Sequence, residues 1–376
     1  MIREQHYDSI LVGAGLASLA LSILLARAGK KVLVLEKKKF PAHKVCGEYV
    51  SNESKLFLKD LGLDVDVQNW PQIHQLLLCG PKGDLLKENL QQGGFGVSRY
   101  TLDQKLLELA QQAGVVVLQE TACTGYQKYN AVFEVNSGKQ KWTCDVLVAG
   151  FGRSVSGNFF KPARPSENWV GIKYHLKTDA PPDQIALYLF PDGYAGASQI
   201  EEGKYCFCYL VRARRLQTYR GRIDQLEEEV LKSNPLLAKF LSQSTKLWQE
   251  PLTVSNVTFS AKKAVHDGIF YIGDSAGSIA PLTGNGMSNA FRSAAILAPI
   301  LLKLFNHTMT TKDAETAYIK SWKQQMGSRI RTGRWIQQLF CTPPLTGIFF
   351  TMAKQSARLR QAIIQKTHGK VFRVES

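Results

Sequence analysis

The chain has 376 residues, of which 44% are hydrophobic and 21% are charged. That length suits two domains or one large composite domain, and the apolar content excludes a wholly disordered chain. The formal net charge is +16, which calls for an anionic partner or surface. The seven cysteines are scattered without CxxC or Cys/His spacing, so the sequence predicts reduced thiols and no metal site.

The N-terminal segment predicts a strand, a glycine turn, a helix and a second strand. Residues 7–12 (YDSILV) predict a buried strand, GAGLAS follows at 13–18, residues 19–28 are rich in Ala and Leu, and KKVLVLE ends at Glu36. Gly13 permits the tight turn, and Gly15 lets the backbone approach a pyrophosphate at the helix N-terminus. Ser18 stands where a third glycine is common, and its small side chain still permits close packing of helix on strand.

Glu36 is the feature of this unit that indicates a nucleotide. It lies 21 residues after Gly15, where a carboxylate accepts hydrogen bonds from ribose hydroxyls and repels a 2′-phosphate. A βαβ unit that binds no nucleotide would leave this glutamate unexplained. The unit alone does not distinguish NAD from FAD, because both contain ADP. The expected contacts to the ADP portion are Gly13, Gly15, Ala17, Ser18, Glu36 and Lys37.

A second glycine-rich turn lies far downstream, in GIFYIGDSAGSIAPLTGNGMSNA at residues 268–290. The pattern predicts a short strand at 269–272, a loop after Asp274, and an apolar helix over 287–302. An aspartate that only caps a helix is the alternative interpretation.

This segment closely resembles the second FAD fingerprint of the superfamily of geranylgeranyl reductases and para-hydroxybenzoate-hydroxylase-like flavoprotein monooxygenases. The resemblance implies that Asp274 contacts the ribityl chain. It also implies that the loop and the helix N-terminus face the flavin edge that becomes negative on reduction. The implied contacts are Asp274, Pro281, Gly284, Asn285, Gly286 and Met287.

Two further segments extend the resemblance. Residues 98–110 predict a helix with one apolar face, and Arg99 matches an arginine of the superfamily near the FAD phosphates or ribityl chain. A solvated charge at a helix start is the alternative for Arg99. Residues 144–152 predict a strand ending in glycines. Many flavin hydroxylases have Asp-Gly where this chain has Phe151-Gly152, so Gly152 is an expected cofactor contact, but a hydroxylase-like NADPH contact is in doubt.

The middle of the chain predicts an antiparallel sheet from strands at 169–176, 184–190 and 204–211, with a loop at 191–196. The superfamily places such a sheet over the flavin as its substrate domain. FPDGYAG, at 190–196, partly resembles a signature of geranylgeranyl reductases. Cys206 and Cys208 alternate on one face, which favours packing over metal binding or redox use. The candidate substrate contacts are Tyr49, Phe190, Pro191 and Tyr194, with ordinary core and turn positions as the alternative.

The C-terminal segment is basic. From Ile319 onward it has eleven Lys or Arg residues and one acid, Glu375, in a predicted helical region interrupted by two prolines. A basic amphipathic helix is typical of a membrane surface, and a helix packed on its own domain is the alternative. Nucleic acid is not an expected partner, because no matching motif accompanies the charge.

The uncharged run at 10–26 contains a Gly-x-Gly turn, so it is not interpreted as a signal peptide or membrane span. We expect a cytoplasmic protein, with the basic C-terminal segment as a candidate peripheral contact to the inner face of the membrane. A hydrophobic small molecule or lipid is the expected substrate.

The resemblance covers roughly residues 5–305 and implies an α/β composite fold. A glutathione-reductase-like Rossmann FAD domain is interrupted by a β-sheet substrate domain and followed by C-terminal helices. The implied FAD domain comprises residues 1–70, 95–160 and 260–305. The implied substrate domain comprises 71–94 and 161–259, and the helical segment comprises 306–376.

The implied activity is that of an FAD-dependent oxidoreductase with NAD(P)H as the external electron donor. The first hypothesis is a geranylgeranyl-reductase-like enzyme that passes a hydride from flavin N5 to a carbon–carbon double bond of a lipid or isoprenoid. The second is a monooxygenase that hydroxylates an aromatic or polyketide substrate through a C4a-hydroperoxide, and Phe151 weakens it. A flavin halogenase would carry a W-x-W-x-I-P motif, which is absent. A non-catalytic FAD-binding protein is the alternative of another class.

The stretch KVCGEYVS, at residues 44–51, follows the second strand. The resembled family has a similar Cys-Gly pair on the substrate side of the flavin. The resemblance leaves two roles for Cys46, which either shapes the pocket or donates a proton to the carbon opposite the hydride. Gly47 is expected to give the backbone room beside the ring.

Overall fold

The computed structural model of the protein describes residues 5–153, 158–159, 168–257, 262–280, 282, 284–367 and 369–374. Its strands are, in chain order, β1 (Gln5–Val12), β2 (Val32–Leu35), β3 (Tyr49–Ser51), β4 (Gln72–Cys79), β5 (Leu85–Gly96), β6 (Val116–Leu118), β7 (Gly125–Tyr129), β8 (Val132–Ser137), β9 (Gln140–Ala149), β10 (Trp169–Lys177), β11 (Gln184–Phe190), β12 (Gly193–Gln199), β13 (Tyr205–Arg212), β14 (Thr245–Lys246), β15 (Leu252–Val257), β16 (Val265–His266) and β17 (Ile269–Tyr271). Its helices are α1 (Leu16–Arg27), α2 (Lys55–Asp60), α3 (Arg99–Gln112), α4 (Ala213–Thr218), α5 (Ile223–Glu229), α6 (Pro235–Ser242), α7 (Gly286–Phe305), α8 (Thr311–Phe340), α9 (Pro343–Gln355) and α10 (Ala357–Thr367).

The first sheet has the strand order β16-β17-β9-β1-β2-β6. β1 runs parallel to β2 and β9, and β17 runs parallel to β9. All four side chains of β2 are buried, as expected for a strand with cover on both faces. The uncharged run at 10–26 forms the buried end of β1, the glycine turn and α1. The predicted βαβ unit is therefore confirmed.

The second sheet has the order β14-β10-β13-β12-β11-β4-β5-β3, with β15 on the outer side of β10. It is antiparallel except where β4 meets β11. Its interior side chains form a second core cluster with α5 and α6. The two sheets together confirm the expected composite α/β fold, while the numerical domain limits stay a prediction.

The segment expected as a loop at 191–196 is mostly strand. β12 begins at Gly193, so the turn from β11 contains only Pro191 and Asp192. Asp192 has a φ of +61°, the left-handed conformation that two-residue hairpin turns use. Its carboxylate accepts hydrogen bonds from Arg214 and Arg215, each at 3.0 Å. These distant partners hold a turn that the local sequence presents as a longer loop.

The C-terminal helices α8, α9 and α10 pack against one another. Among the described helices, α7 is long and apolar enough to cross a membrane by length and composition alone, and 61% of its most apolar window is buried. α7 packs against α1 and α8. It therefore forms part of the protein interior.

Candidate active site

A cavity of about 550 Å³ lies between the two sheets. Residues that directly follow three neighbouring parallel strands line one end of it, namely Gly15 after β1, Gly152 after β9 and Asp274 after β17. The carboxyl ends of parallel strands are the usual ligand side of such a sheet. This end of the cavity is called the strand end below.

The turn after β1 is built for close approach of a ligand. Gly13 has a φ of +93°, and a Cβ there would lie 2.8 Å from the carbonyl oxygen of Gly150. No side chain caps α1 at Gly15, and no acid occupies its first turn. Its free N–H groups and positive dipole are therefore available to an anion in the cavity.

Glu36 reinforces this turn. Its two carboxylate oxygens accept hydrogen bonds from the backbone N–H groups of Ala14, at 2.8 Å, and Lys38, at 2.9 Å. Ser18 packs where β9 ends, and a Cβ at Gly150 would lie 1.9 Å from its Oγ. The small residue at position 18 therefore permits the close helix–strand contact that the sequence predicted.

A second helix N-terminus faces the same cavity. α7 begins at Gly286, no side chain caps it at Asn285, and Gly284, Gly286 and Met287 line the cavity wall. Nearby, the Asp274 carboxylate accepts a hydrogen bond from Arg153 Nε at 3.0 Å. Two uncapped helices thus direct positive dipole ends into one cavity.

Four cationic side chains line the strand end: Lys38, Lys44, Arg99 and Arg153. Arg99 donates through Nε and Nη2 to the two oxygens of Asp103, at 2.7 and 2.9 Å, and Lys44 Nζ lies 2.6 Å from Asp103 Oδ2. Asp103 is fully buried, so it fixes both cations in place. The electrostatics of this end suit a phosphate-containing ligand.

A buried ionic cluster forms the wall beside these cations. It is called the cavity cluster below and consists of His43, Glu48, Lys173 and His175. Glu48 is fully buried and has a φ of +56°, a conformation that costs a non-glycine residue about 1 kcal/mol. One of its oxygens accepts hydrogen bonds from Lys173 Nζ and from the backbone N–H of Arg99. The other lies 2.8 Å from His175 Nε2.

The charges of this cluster are mutually stabilised. Burial alone would raise the pKa of Glu48, but hydrogen bonds and charge from His175 and Lys173 hold it below its ordinary value. Burial opposes the charge of Lys173, yet the charge of Glu48 and its hydrogen bond raise the pKa of Lys173. The cluster therefore retains a carboxylate and an ammonium at neutral pH, although both groups are buried.

His43 completes the cluster as a neutral group. Burial, together with Lys173 and His175, lowers the pKa of His43 to about 4. Its ring stacks on Tyr100 at 4.7 Å and lies 4.7 Å from the ring of Trp248. Ligand atoms of His43, Glu48 and His175 lie within 4.8 Å of one another, close enough for a metal site. The Lys173 ammonium already serves as the cation on this carboxylate, which disfavours a metal ion there.

Cys46 and Gly47 line the cavity next to this cluster. The carbonyl oxygen of Cys46 accepts a hydrogen bond from Cys206 Sγ at 3.2 Å, and its own side chain is half-buried. Burial raises the pKa of Cys208, which also lines the cavity, to about 12. Burial also raises the pKa of Cys206 well above its ordinary value, so both thiols stay protonated at neutral pH.

Tyr49 links the two glycine-rich regions. A Cβ at Gly284 would lie 3.2 Å from the Tyr49 ring, so that ring packs against the loop before α7. Its hydroxyl is buried without a hydrogen-bond partner among the described residues. Burial, together with Glu53, raises the pKa of Tyr49. The hydroxyl therefore stays neutral and lies buried behind the cavity wall.

The other end of the cavity, called the apolar end below, is walled by the second sheet and the C-terminal helices. Its charged lining residues are Glu88 and Arg360, which form an ion pair with each other. The apolar lining residues are Leu76, Leu78, Leu86, Leu90, Ile185, Leu187, Leu210, Leu252, Val254, Leu282, Ile336, Phe340, Phe349, Ile363 and Ile364.

The described residues fit FAD at the strand end. Two uncapped helix N-termini, a glycine turn that no larger residue could occupy, and four cations match a dinucleotide with a pyrophosphate and a flavin. A family model described as "FAD binding domain" matches residues 6–318. The chain belongs to this FAD-binding family. It is an FAD-dependent oxidoreductase or monooxygenase.

Sequence identity to individual relatives is low, but the similarity extends over most of each chain. The protein is 23% identical to conditioned medium factor receptor 1 of Dictyostelium discoideum over 356 residues, covering 86% of this chain and 69% of that protein. It is 23% identical over 347 residues to digeranylgeranylglycerophospholipid reductase 2 of Methanothermobacter thermautotrophicus, covering 86% and 85%. Flavin-dependent brominase Bmp2 superimposes with a TM-score of 0.79 at 18% identity, covering 96% and 93%. The last comparison shows a shared fold.

Most of the site residues predicted for this FAD-binding protein meet in the one cavity. Those that line it are Gly15, Ala17, Cys46, Gly47, Tyr49, Arg99, Gly152, Tyr194, Asp274, Gly284, Gly286 and Met287. Gly13, Ser18, Glu36 and Asn285 lie directly behind the lining, where they shape its turns and helix starts. Pro281 lies outside the described residues.

Three expectations differ from the structure. Phe190 belongs to the core cluster on the other face of the second sheet, because it lies three residues after the cavity-lining Leu187 on β11 and so points the opposite way. Pro191 is exposed in the turn before β12. Lys37 is exposed, and Lys38 lines the cavity in its place. The structure does not bring Phe190, Pro191 or Lys37 to the site.

Sequence reasoning missed the cavity cluster of this FAD-binding protein. Glu48 lies in the stretch KVCGEYVS, between the predicted site residues Gly47 and Tyr49, but it was not itself predicted. Lys173 and His175 alternate in the otherwise apolar strand WVGIKYHL, which places both on one face of the sheet. Charged residues at i and i+2 inside a buried strand were the available signal.

Proposed function

We propose that this FAD-dependent oxidoreductase reduces a carbon–carbon double bond in a long apolar lipid, with an isoprenoid chain as the substrate class. The observation that carries the proposal is the continuity of one cavity from the FAD-binding strand end to the apolar end. A substrate that fills the apolar end needs little polarity, since the charged residues there neutralise each other. An extended hydrocarbon satisfies this requirement better than a compact hydroxylated aromatic ring.

The surroundings of the apolar end support the same conclusion. Aliphatic side chains from β4, β5 and β11 form one wall, and α8, α9 and α10 contribute the other. Such a lining excludes water from the reacting centre and orients a flexible chain by shape. The relative from Methanothermobacter, whose name states a lipid reductase, is consistent with this choice.

FAD, when bound, would supply a hydride, and NAD(P)H is the proposed external donor. Gly15, Ala17 and the α1 N-terminus would hold the pyrophosphate. Asp274 and the α7 N-terminus would hold the ribityl and flavin portions. Phe151 packs against Phe159 and Tyr271. At this position NAD(P)H would therefore meet an aromatic ring and no carboxylate.

Saturating a double bond also requires a proton, and we assign it to the Cys46 thiol. Cys46 lines the cavity, and its backbone is fixed by Cys206. Lys173 of the cavity cluster donates a hydrogen bond to the carbonyl oxygen of Lys44 at 3.1 Å. The cluster therefore also holds the backbone two residues before Cys46. A rigid segment keeps a proton donor at a constant distance from the reacting carbon.

Product analysis tests the proposed reaction. The purified flavoprotein is incubated with NAD(P)H and a polyprenyl lipid, and the product is examined by mass spectrometry. The proposal expects a gain of two hydrogen atoms without oxygen, at the same rate in air and under anaerobic conditions. A product that gains one oxygen atom, and only in air, would support the monooxygenase instead.

A further inference from the structure

The outer surface of the C-terminal helices is unusually apolar. Four of the twelve large exposed hydrophobic side chains of the described residues lie between positions 335 and 352. Three of them, Leu345, Ile348 and Met352, have i, i+3 and i+7 spacing on α9 and so form one stripe. Ile348 is 58% exposed and Met352 is 55% exposed.

The opposite face of α9 already packs against the protein. Phe349, Phe350 and Ala353 are buried in a core cluster with α8. The exposed stripe is therefore additional to what the fold needs, and burying it would require something outside the chain.

A groove of about 410 Å³ lies between α8 and α10 on this helical layer. Trp335, which is 56% exposed, forms part of its wall. Ile336 and Ile363 line both this groove and the apolar end of the main cavity. The groove and the cavity are thus separated by single side chains.

The charge of this region limits what can cover it. Lys354 pairs with Asp84 in the turn before β5, and Arg360 pairs with Glu88 on β5, so both cations serve the fold. The exposed cations Arg331, Arg358 and Lys366 have no carboxylate within salt-bridge distance among the described residues. Arg331 and Lys366 lie in the groove itself.

We propose that this face docks on an anionic phospholipid membrane and that the groove between α8 and α10 admits the substrate lipid to the cavity. Apolar side chains flanked by unpaired cations match the boundary between acyl chains and anionic headgroups. A second copy of the chain would oppose like charges across the contact. The docking itself requires only the surface, whereas the role of the groove rests on the proposed function.

Vesicle flotation of the full-length flavoprotein tests the docking. We expect binding to vesicles of phosphatidylserine and phosphatidylcholine, and little binding to phosphatidylcholine alone. I348D combined with M352D should abolish most of it. Y129D is the matched control, because Tyr129 is an equally exposed apolar residue on β7, and it should bind like the wild type. Each neutralisation among Arg331, Arg358 and Lys366 should weaken binding about fivefold.

Three results would overturn the docking. The first is equal vesicle binding by I348D/M352D and the wild type, and the second is equal binding of the wild type to both kinds of vesicle. The third is a wild type that binds no vesicles but sediments as a dimer, with the dimer lost in I348D/M352D. Thermal unfolding of each variant verifies that the fold is intact. Vesicle binding is measured without turnover, so a protein that docks but reduces no lipid would refute the proposed function and leave the docking standing.

A substitution in the groove tests the route. A362W places a bulky ring in the groove at a position that does not line the main cavity. We expect the rate with polyprenyl lipid held in vesicles to fall several-fold relative to the rate with a short, water-soluble prenyl alcohol. An unchanged ratio would refute the groove as the route of entrance.

Discussion

Two buried carboxylates close together in the chain, Glu48 and Glu53, have the same chemistry and different surroundings. Both are completely buried, and each pairs with two cationic or titratable side chains. Glu48 lines the cavity, whereas Glu53 does not. Glu53 instead accepts hydrogen bonds from Arg292 on α7, at 3.2 Å, and Arg329 on α8, at 2.6 Å.

The tail cluster consists of Glu53, Arg292, Arg329 and Phe372, and it joins the C-terminal segment to α7 and α8. The backbone N–H of Phe372 donates to the carbonyl oxygen of Glu53 at 3.2 Å, and the Arg292 guanidinium lies 4.2 Å from the Phe372 ring. A buried ion pair therefore does not by itself mark a functional site. Its position relative to the cavity does, so the tail cluster should control stability and the cavity cluster should control turnover.

The largest expected effect is on stability, from Glu53→Ala. Removing this carboxylate leaves Arg292 and Arg329 buried without a counter-charge, which should lower the free energy of unfolding by about 3 to 5 kcal/mol. Urea unfolding followed by circular dichroism measures it. Lys354→Gln, which breaks a more exposed pair, is the control and should cost less than about 1 kcal/mol. Equal losses in both variants would contradict a structural role for the tail cluster.

Paired neutralisation separates the two clusters. Glu53→Gln with Arg329→Met should regain part of the stability lost in Glu53→Ala, because one of the two buried arginines is removed with the carboxylate, and it should keep turnover. Glu48→Gln with Lys173→Met should also stay folded, because removing both charges avoids an unpaired one. Its turnover should nevertheless fall on the order of a hundredfold, since the segment that carries Cys46 loses its support. If both double variants keep full turnover, the comparison fails.

Cys46→Ala tests the residue that the cavity cluster supports. FAD should stay bound, as its visible absorbance reports, and lipid reduction should slow about a hundredfold because a general acid is lost. Cys208→Ala removes another thiol from the same cavity and should have a much smaller effect. Unchanged turnover in Cys46→Ala would leave this cysteine with a packing role only.

The smallest expected effect is on the pH dependence of stability, and it comes from His43 in the cavity cluster. His43 has a folded-state pKa of about 4, below its ordinary 6.5, so the unfolded chain binds its proton more readily. The stability from neutral His43 is fully present above pH 6.5 and is lost as the pH falls toward 4. His43→Phe, which keeps an aromatic ring, should flatten that part of the stability profile. The exposed His307→Gln is the control, and a profile that changes equally in both would contradict the assignment.

Local patterns predicted the strand end of the site well. The turn at Gly13, the position of Glu36 and the start of α7 each depend on residues that are neighbours in sequence, and their geometry is fixed by backbone conformation. Arg99 was placed near the cofactor by the resemblance to the flavoprotein superfamily, and it lines the cavity. The bidentate partner Asp103 lies one helical turn further on.

The apolar end could not be predicted in the same way. Its walls come from β4, β11, α8 and α10, and no short motif records which of their aliphatic residues will meet. Phe190 shows the difficulty, because alternation along β11 decides its face, and that face became known only from the pairing with β12. The sequence also could not show which tail cations pair within the protein, since Arg329, Lys354 and Arg360 neutralise carboxylates that lie far away along the chain.

The most direct test of the central claim is single-turnover reoxidation of the reduced flavoprotein. The protein is reduced anaerobically, and flavin absorbance is followed after mixing with either a polyprenyl lipid or oxygen. We expect fast reoxidation by the lipid under anaerobic conditions and slow reoxidation by oxygen. Reoxidation by oxygen alone, with no response to the lipid, would contradict the central claim.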